Sequence, residues 1–399
     1  MTEKKYGKSF GDLNSLKQNF FNNNDGMLKM ADGMADILNG QPLRTVCKIC
    51  GSPLGYLKDA GNDRTDTKAC EQSKAGPAGE EKGHGDCIVR SHGIDYIVCP
   101  ECGHLNSAHE DTDDFASKVY VEDDYSKNYS MKDKESYDRR MNMIYVPKAQ
   151  FLIDSLKKDG ISEIRDLDIG AGCGYFVAAL HSFGISSTGI EVSDTEVEFG
   201  NLMMGMDGSG TDEATGSNGA SAAGTEQGGE GAKYLKCVGL TDSSSYIRNT
   251  DANVISAIGV LEHLIHLKDN LNAVRDNKNI KYLYASVPMF SFSCAFETAF
   301  QDCYNRHMGG THTHLFTDES IRVMAESIGF EVAYEWRFGS DINDRYRFRS
   351  VSMRKNGNEE FADMFAEKFT PLMDKLQLIL DESEFSSELH FILRRCNCL

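Results

Sequence analysis

From about residue 160 onward, short apolar runs alternate with helical stretches, and this alternation restricts the possible fold more than any other feature. Strands that alternate with helices form a parallel sheet, because each crossover between parallel strands lays a helix against a face of the sheet. The sequence therefore predicts an α/β fold with helices on both faces of the sheet. The predicted strands lie at 164–169, 187–192, 234–238, 254–260, 281–287, 331–336 and 389–393.

A glycine turn joins the first of these strands to the helix that follows. The run Asp168-Ile169-Gly170-Ala171-Gly172-Cys173-Gly174 lies where an open α/β sheet binds its ligand. Glycine lets the backbone turn tightly and approach a ligand without an intervening Cβ. A dinucleotide site has the pattern G-x-G-x-x-G, but the sixth position here is Tyr175. The turn indicates a nucleotide-type cofactor, and its spacing does not favour a dinucleotide.

An acidic residue closes the next predicted strand, in Gly189-Ile190-Glu191-Val192. An ionised carboxylate has two acceptor oxygens, so Glu191 is placed to receive hydrogen bonds from two ribose hydroxyls. A second segment, Val260-Leu261-Glu262-His263-Leu264, follows the strand predicted from residue 254. Dinucleotides and other nucleotide-type cofactors both need such a carboxylate for the ribose. The glycine spacing and the segment at 260–264 together distinguish between these two kinds of cofactor.

Together these segments resemble class I methyltransferases over about residues 145–330. The resemblance implies a Rossmann-like, seven-stranded methyltransferase sheet and S-adenosylmethionine as the cofactor. The alternative is an α/β domain whose turn binds another nucleotide or only shapes a tight corner. The implied cofactor residues are Asp168, which orients the turn and the methionine amino group, Gly170, Gly172 and Gly174, which pass the methionine moiety, Glu191 on the ribose, and Val192 against adenine.

Two pairs of cysteines predict a structural zinc site, in Cys47-Lys48-Ile49-Cys50-Gly51 and Cys99-Pro100-Glu101-Cys102-Gly103. Each pair places two thiolates on one tight turn, and four sulfur ligands in a tetrahedral array favour zinc. The gap between the pairs is longer than in a usual zinc ribbon, but a polar loop at 61–85 can absorb the excess. The competing ligands, interpreted as ordinary loop residues, are Cys70, His84, Cys87 and His104.

Histidines are the candidates for chemistry, because an imidazole can remove the proton of a poor nucleophile at neutral pH. His263 stands beside Glu262, and the carboxylate could hold it or raise its pKa. The alternative is a pair at a helix start that packs beneath the cofactor. His312 and His314 lie in a His-x-His segment before a helix begun by Thr317. The alternative to a catalytic or substrate role is that one of them only anchors that loop.

Several further residues have weaker functional interpretations. Cys173 is interpreted as a small side chain packed behind the cofactor and not as a nucleophile. The polar residues before the main domain either line the acceptor pocket, or hold an acceptor phosphate, or form a solvated helix face. These residues are Tyr125, Tyr129, Arg139 and Arg140.

The chain divides by composition into five parts. A segment at 205–232 consists almost wholly of Gly, Ser, Ala, Thr, Asp and Glu, and is predicted to be a disordered insertion because it cannot bury enough apolar surface. The predicted parts are a polar segment at 1–44, a zinc-binding module at 45–110, a helical connector at 111–160, the methyltransferase core at 161–340 and a C-terminal extension at 341–399, with an amphipathic helix at 361–380 and a last strand.

Charge restricts the possible partners. The formal net charge is −19, and an acidic field opposes the phosphate contacts that nucleic-acid binding requires. No apolar run has the length of a signal peptide or a membrane span, which predicts a cytoplasmic protein with no membrane partner.

The order of the parts resembles sugar C-methyltransferases, which act on nucleotide-linked deoxysugars. This resemblance implies a small-molecule acceptor, a zinc module that covers one side of the acceptor site, and proton abstraction beside a ketone with His263 as the base. The alternatives are a zinc-ribbon RNA methyltransferase, which the acidic charge opposes, and a methyltransferase-fold binding protein without turnover. The sequence does not predict an oligomeric state.

Overall fold

The computed structural model describes residues 2–8, 22–55, 87–122, 133–205, 234–304 and 306–396. The predicted insertion lies outside the described residues except for Gly205, and so do Cys70, His84, Tyr125 and Tyr129. The strands, numbered along the chain, are β1 (Glu3–Tyr6), β2 (Cys87–Ser91), β3 (Ile94–Val98), β4 (Leu105–Ser107), β5 (Arg165–Ile169), β6 (Ser186–Glu191), β7 (Leu235–Cys237), β8 (Val254–Ile258), β9 (Tyr282–Pro288), β10 (His314–Leu315), β11 (Phe330–Phe338) and β12 (Glu388–Arg395).

Helices connect these strands. Two π-helical segments, Ser117–Glu122 and Met141–Tyr145, interrupt the connector before the main sheet. The α-helices, numbered along the chain, are α1 (Asn24–Asn39), α2 (Asp113–Ala116), α3 (Lys134–Arg140), α4 (Val146–Lys158), α5 (Tyr175–Ser182), α6 (Asp194–Gly205), α7 (Ser243–Asn249), α8 (Leu267–Asp276), α9 (Phe292–Glu297), α10 (Asp318–Ser327), α11 (Asp341–Lys355), α12 (Glu359–Phe369) and α13 (Met373–Glu382).

The main sheet has the order β1-β11-β12-β9-β8-β5-β6-β7. Strands β5 to β9 pair in parallel, and β12 runs antiparallel to both β9 and β11. Each of the seven strands predicted from the sequence is found in this sheet. The parallel strands therefore present their carboxyl ends at one edge, beside the turns that follow them.

The strand count of seven is wrong, because the described residues form a sheet of eight strands. The additional strand β1 pairs in parallel with β11 at the sheet edge. Its sequence, Glu-Lys-Lys-Tyr, is polar and mostly exposed, so it lacks the apolar signal of a strand. It is held instead by backbone pairing and by Lys5, whose ammonium lies 3.9 Å from the centre of the Trp336 ring.

Apolar side chains cover both faces of the sheet, because successive residues of a strand point to opposite sides. On β9, Leu283 and Ala285 face one cluster, which α7, α8 and α10 complete. Tyr282 and Tyr284 face the other, together with residues of α4 and α5. Helices therefore lie on both faces, as the alternation of the sequence predicts.

A second, antiparallel sheet has the order β10-β4-β3-β2. Its first strand, His314–Leu315, lies within the range predicted as methyltransferase core. Helix α1, from the segment predicted to be polar, packs on this sheet. Its Met34 and Leu38 belong to the same buried cluster as Tyr96 and Phe115. The small sheet is thus built from the zinc-binding range, the N-terminal segment and the core together.

The C-terminal extension contains α11, α12 and α13 before the last strand. The single helix predicted at 361–380 is instead two helices, separated by a 3₁₀ turn at Thr370–Leu372. Pro371 explains the break, because proline donates no backbone hydrogen bond and its ring disturbs the preceding turn. Within the described ranges, none of the helices combines the length and apolar character needed to cross a bilayer.

Candidate active site

One cavity of about 310 Å³ opens at the carboxyl edge of β5, β6 and β8. Its wall combines residues of the glycine turn, the end of β6, the loop after β8 and the connector. The lining residues used below are Gly170, Gly172, Glu191, Val192, Glu196, Tyr120 and His263. The cavity therefore brings together segments that the sequence predicted for the cofactor and a histidine that it predicted for chemistry.

The three glycines of the turn have different surroundings. All three have positive φ, which L side chains rarely adopt. A Cβ on Gly170 would lie 2.8 Å from the Val260 side chain, whereas Gly172 has nothing nearer than 3.7 Å. A Cβ on Gly174 would meet Leu235 at 2.9 Å, on the side of β7. Gly170 and Gly172 line the cavity, and Gly174 packs the turn against the sheet.

Glu191 organises the backbone at the end of β6. Its carboxylate accepts hydrogen bonds from the backbone N–H groups of Gly172 at 2.9 Å, Val192 at 2.6 Å and Ser193 at 3.1 Å. The side chain thus bridges the glycine turn and the next loop, and it lines the cavity. Val192 lines the same wall, which is where the resemblance places adenine.

Asp168 lies below the turn and is buried. Its carboxyl accepts a hydrogen bond from the Ser256 hydroxyl at 2.8 Å, and the same hydroxyl is 3.0 Å from Asp166. Burial raises the pKa of Asp168 well above its usual range, and the neighbouring Asp166 carboxyl adds to the rise. Among the described residues lining the cavity, neither Asp168 nor Gly174 is found.

Glu196, on α6, was not singled out from the sequence, yet it lines the cavity beside Glu191. Burial raises the pKa of Glu196 to about 7, and the Glu191 carboxylate adds to the rise. The signal that could have indicated it is its position in the first turn of the helix after Glu191. No comparable feature of the sequence indicates Tyr120, which reaches the cavity from the connector.

His263 stands in the cavity wall, in contact with residues from two distant segments. Its Nδ1 is 3.1 Å from the Tyr120 hydroxyl and 3.1 Å from the Thr311 carbonyl oxygen. Its ring centroid is 5.0 Å from that of His312. Glu262 is buried directly beside it, with Oε1 at 3.9 Å from Nε2 of His263. The structure therefore groups Glu262, His263 and His312.

Burial controls the protonation of this group. It lowers the pKa of His263 to about 3, with a further contribution from His312, and lowers the pKa of His312 to about 4. It raises the pKa of Glu262 to about 8. At neutral pH the two imidazoles are thus uncharged, and each has one nitrogen with a free lone pair.

The loop that carries His312 is fixed by buried polar contacts. The Glu297 carboxylate accepts hydrogen bonds from the backbone N–H groups of Arg306 and Met308, and lies 2.8 Å from Nδ1 of His307. The His307 carbonyl in turn accepts a hydrogen bond from Nδ1 of His312, at 3.0 Å. These contacts hold the His312 ring in place next to His263.

His314 is separated from this group. It is buried in the small sheet, with Nδ1 2.9 Å from Nε2 of His104, whose other nitrogen lies 3.3 Å from the Ser320 hydroxyl. Among the described residues, His314 does not line the cavity. The structure thus distinguishes the two histidines of the His-x-His segment, with His312 beside the site and His314 in the packing.

The four cysteines of the two pairs converge. Their sulfur atoms all lie within 4.8 Å of one another, and Cys47–Cys102 and Cys50–Cys99 are each 3.6 Å apart. A tetrahedron of zinc–sulfur bonds of about 2.3 Å has edges of about 3.8 Å, so this donor set fits zinc. His104 bonds elsewhere, and the side chain of Cys87 lies outside the described residues.

The cysteine cluster is tied to the loop of His312. Lys48, within the first cysteine pair, contacts Asp111, which also binds Arg44 at 2.6 Å and accepts a hydrogen bond from the Thr313 hydroxyl at 3.0 Å. The Tyr96 hydroxyl donates to the His312 carbonyl at 2.8 Å. The small sheet therefore helps to position the loop that carries His312.

The two arginines of the connector have different surroundings. Arg139 is exposed and pairs with Glu135 of the same helix at 3.2 Å. Arg140 lies over the ring of Tyr175, 5.4 Å from its centroid.

Cys173 is buried and its pKa is raised to about 12 by burial, so its thiol is neutral and packs behind the turn.

Comparison with known proteins agrees with this geometry. Residues 137–335 match a family model described as "Methyltransferase domain", and this range contains the glycine turn, Glu191 and the Glu262–His263–His312 group. A search of curated protein sequences gave no significant match.

Three solved structures of methyltransferases are similar to this chain at low sequence identity. Magnesium protoporphyrin IX methyltransferase from Synechocystis PCC 6803, with bound SAH, is 11% identical and covers 70% of this chain and 97% of its own, with a TM-score of 0.40. A putative sarcosine dimethylglycine methyltransferase from Galdieria sulphuraria is 11% identical, covering 63% and 86%, with a TM-score of 0.39. A SAM-dependent methyltransferase from Archaeoglobus fulgidus is 15% identical, covering 68% and 100%, with a TM-score of 0.37.

Proposed function

We propose that this S-adenosylmethionine-dependent methyltransferase acts on a small-molecule acceptor, and that nucleotide-linked sugars are the first class of acceptor to test. The observation that carries the proposal is the shared cavity: the glycine turn and Glu191 form one part of its wall, and His263 with Tyr120 forms another. A methyl donor held by the first part and an acceptor held by the second would meet inside one volume of about 310 Å³.

The residues at the cofactor side have separate tasks. Glu191 receives the two ribose hydroxyls. Its two oxygens have four lone pairs and three of them already accept from backbone N–H groups, so binding of both hydroxyls replaces one of these hydrogen bonds. Val192 packs against the adenine ring. Gly170 and Gly172 leave room for the methionine moiety, because neither carries a Cβ. When bound, S-adenosylmethionine supplies an electrophilic methyl group on a sulfonium.

Alignment of the acceptor carries most of the rate enhancement in such a displacement. In the simplest form of the reaction, Nε2 of His263 takes a proton from the carbon beside a sugar ketone. The carbanion that remains attacks the methyl group, so a carbon–carbon bond forms as the carbon–sulfur bond breaks and the thioether product leaves. Nδ1 of His263 is held by Thr311, which leaves Nε2 able to accept. Because burial lowers the pKa of His263, the Glu262 carboxylate, 3.9 Å from Nε2, would have to stabilise the imidazolium that forms.

The acidic charge of the chain favours the small-molecule acceptor over RNA. The cysteine cluster fits a structural zinc ion held by Cys47, Cys50, Cys99 and Cys102, and the zinc would stabilise the small sheet that holds the His312 loop. The zinc has no open coordination position in this assignment and takes no part in methyl transfer.

The test is a screen with radiolabelled S-adenosylmethionine against nucleotide sugars, small metabolites and RNA. We expect transfer to a nucleotide-linked sugar. Transfer to RNA alone would overturn the acceptor proposal.

The role of His263 has a matched control nearby. His263→Ala should retain cofactor binding and lose methyl transfer by roughly two to four orders of magnitude, which is the usual effect of a general base. His266→Ala, three residues along and bonded to Asp113 outside the cavity, should keep full activity. Unchanged turnover in His263→Ala would remove His263 from the reaction.

A further inference from the structure

Three side chains of metal-ligating types converge at the acceptor side of the cavity. Glu262, His263 and His312 each offer one ligand atom, and these atoms all lie within 4.8 Å of one another. They come from the loop after β8 and from the loop before β10. The group is distinct from the four cysteines, which are bound to the small sheet.

Both imidazoles are held in the same tautomer. Nδ1 of His263 is 3.1 Å from the Thr311 carbonyl, and Nδ1 of His312 is 3.0 Å from the His307 carbonyl. A carbonyl oxygen only accepts hydrogen bonds, so each Nδ1 carries the proton and each Nε2 keeps its lone pair. Metal-ligating histidines have this arrangement, in which a carbonyl fixes the orientation of the ring.

The carboxyl group of Glu262 is the third donor, and one of its two oxygens has no hydrogen-bond partner among the described residues. The residue is 3% exposed, and its Oε2 is buried without a hydrogen-bond partner among the described residues. A buried oxygen without a donor destabilises the folded state. A cation bound by Glu262 and the two histidines would give the carboxyl group a partner and favour its ionised form.

We propose that Glu262, His263 and His312 bind a divalent first-row transition cation. Two imidazoles and one carboxylate suit zinc or ferrous iron better than magnesium, which prefers oxygen ligands. Three protein ligands leave coordination positions open, and His263 lines the cavity. The site is therefore open to a ligand on the cavity side, in contrast to a site closed by four cysteines.

The chemical role of this cation rests on the proposed function, although its binding does not. An open position would hold an oxygen of the acceptor and stabilise the negative charge that develops there when the acceptor loses its proton. With the cation bound, Nε2 of His263 is a ligand, so the proton passes to solvent and not to the imidazole. The acceptor would then carry a hydroxyl or an enolisable ketone that can ligate the metal.

The experiment titrates Co²⁺ into tag-free, full-length protein that has been loaded with one equivalent of zinc per chain, enough for the four cysteines alone, and then freed of unbound metal. Calorimetry and visible absorption of the cobalt follow the binding. We expect one Co²⁺ site per chain. His312→Ala and Glu262→Gln should each weaken it by at least about tenfold, since even partners of metal ligands change affinity by 10–100-fold. His266→Ala should bind Co²⁺ as the wild type does.

Titration with S-adenosylmethionine shows that each variant is folded at the cavity, because the cofactor residues are unchanged. The absence of Co²⁺ binding to zinc-loaded wild-type protein would overturn the metal site, as would equal Co²⁺ affinity in the wild type, His312→Ala and Glu262→Gln. Failure of the acceptor screen leaves these results unaffected, so the two proposals can fail separately. Methyl transfer that depends on His263 without any Co²⁺ binding would retain the imidazole as base and reject the cation.

Discussion

The two sides of the cavity are assembled differently. The cofactor side is built within residues 168–192, by the ends of β5 and β6, which are neighbours in the sheet. The acceptor side is lined by Tyr120 from the connector and His263 from the loop after β8. His312, on a loop tied to the small sheet, packs against His263. Local sequence determines the first side, whereas the second exists only when distant segments have docked.

This difference has a structural consequence. The glycine turn and Glu191 hold each other through a hydrogen bond from the Gly172 N–H to the carboxylate. The position of His312 depends on Glu297, Tyr96 and Asp111, through its own loop. Damage to the small sheet should therefore disable the acceptor side and leave the cofactor side in place.

Removal of the cysteine cluster is expected to have the largest effect. Cys47→Ser/Cys50→Ser removes two of the four zinc ligands, so the protein should lose the zinc. The effect on stability should be large, because a structural zinc contributes on the order of 10 kcal/mol in small zinc domains. We expect melting of the small sheet and loss of methyl transfer, with measurable S-adenosylmethionine binding retained. Metal analysis, thermal melting and calorimetry check this, with Cys396→Ser as the control. One full zinc in the double variant would contradict the assignment.

Alanine substitution at two glycines with nearly the same φ tests how much of the stability loss comes from packing and how much from backbone strain. Gly174 and Gly184 have φ of 72° and 73°, but a Cβ on Gly184 meets nothing within 4 Å, whereas one on Gly174 meets Leu235 and Met204 at 2.9 Å. Gly184→Ala should cost about 1–2 kcal/mol of backbone strain. Gly174→Ala should cost about 1–3 kcal/mol more through overpacking. Urea unfolding measures both, and equal losses would reject the close packing of the turn.

Glu191→Ala tests the cofactor side directly. It removes the acceptor of two ribose hydroxyls, and hydrogen bonds to a charged group contribute about 1.5–3 kcal/mol each. We expect S-adenosylmethionine affinity to fall by at least about tenfold in calorimetry. Glu198→Ala, on the exposed side of the next helix, is the matched control. Equal affinity in both variants would remove Glu191 from cofactor binding.

Tyr120→Phe should have the smallest effect, and only at the acceptor side. It removes the hydroxyl that lies 3.1 Å from Nδ1 of His263, and a neutral hydrogen bond contributes about 0.5–1.5 kcal/mol. Turnover should fall by roughly 3–10-fold with the KM for S-adenosylmethionine unchanged, and Tyr246→Phe, outside this cavity, should match the wild type. A raised KM for the cofactor without a change in turnover would instead assign Tyr120 to the cofactor side of the cavity.

The sequence predicted seven strands of the main sheet and the glycine turn because both have strong local signals: apolar periodicity for the strands and a required positive φ for the turn. The polar edge strand Glu3–Tyr6 has no such signal, since backbone pairing with β11 holds it. The sequence also could not separate His312 from His314. Residues two apart share a face of a regular strand, but β10 begins only at His314, and His312 lies in a turn that pairs with Gly309.

The central claim is that one cavity has a cofactor side and an acceptor side that work as separate parts. Calorimetric titration of S-adenosylmethionine into the His263→Ala variant tests it most directly, with the wild type and Glu191→Ala measured alongside. The account predicts that His263→Ala binds the cofactor within about twofold of the wild type, because the variant leaves every hydrogen bond of Glu191 in place. Loss of affinity in His263→Ala as large as that in Glu191→Ala would contradict the division.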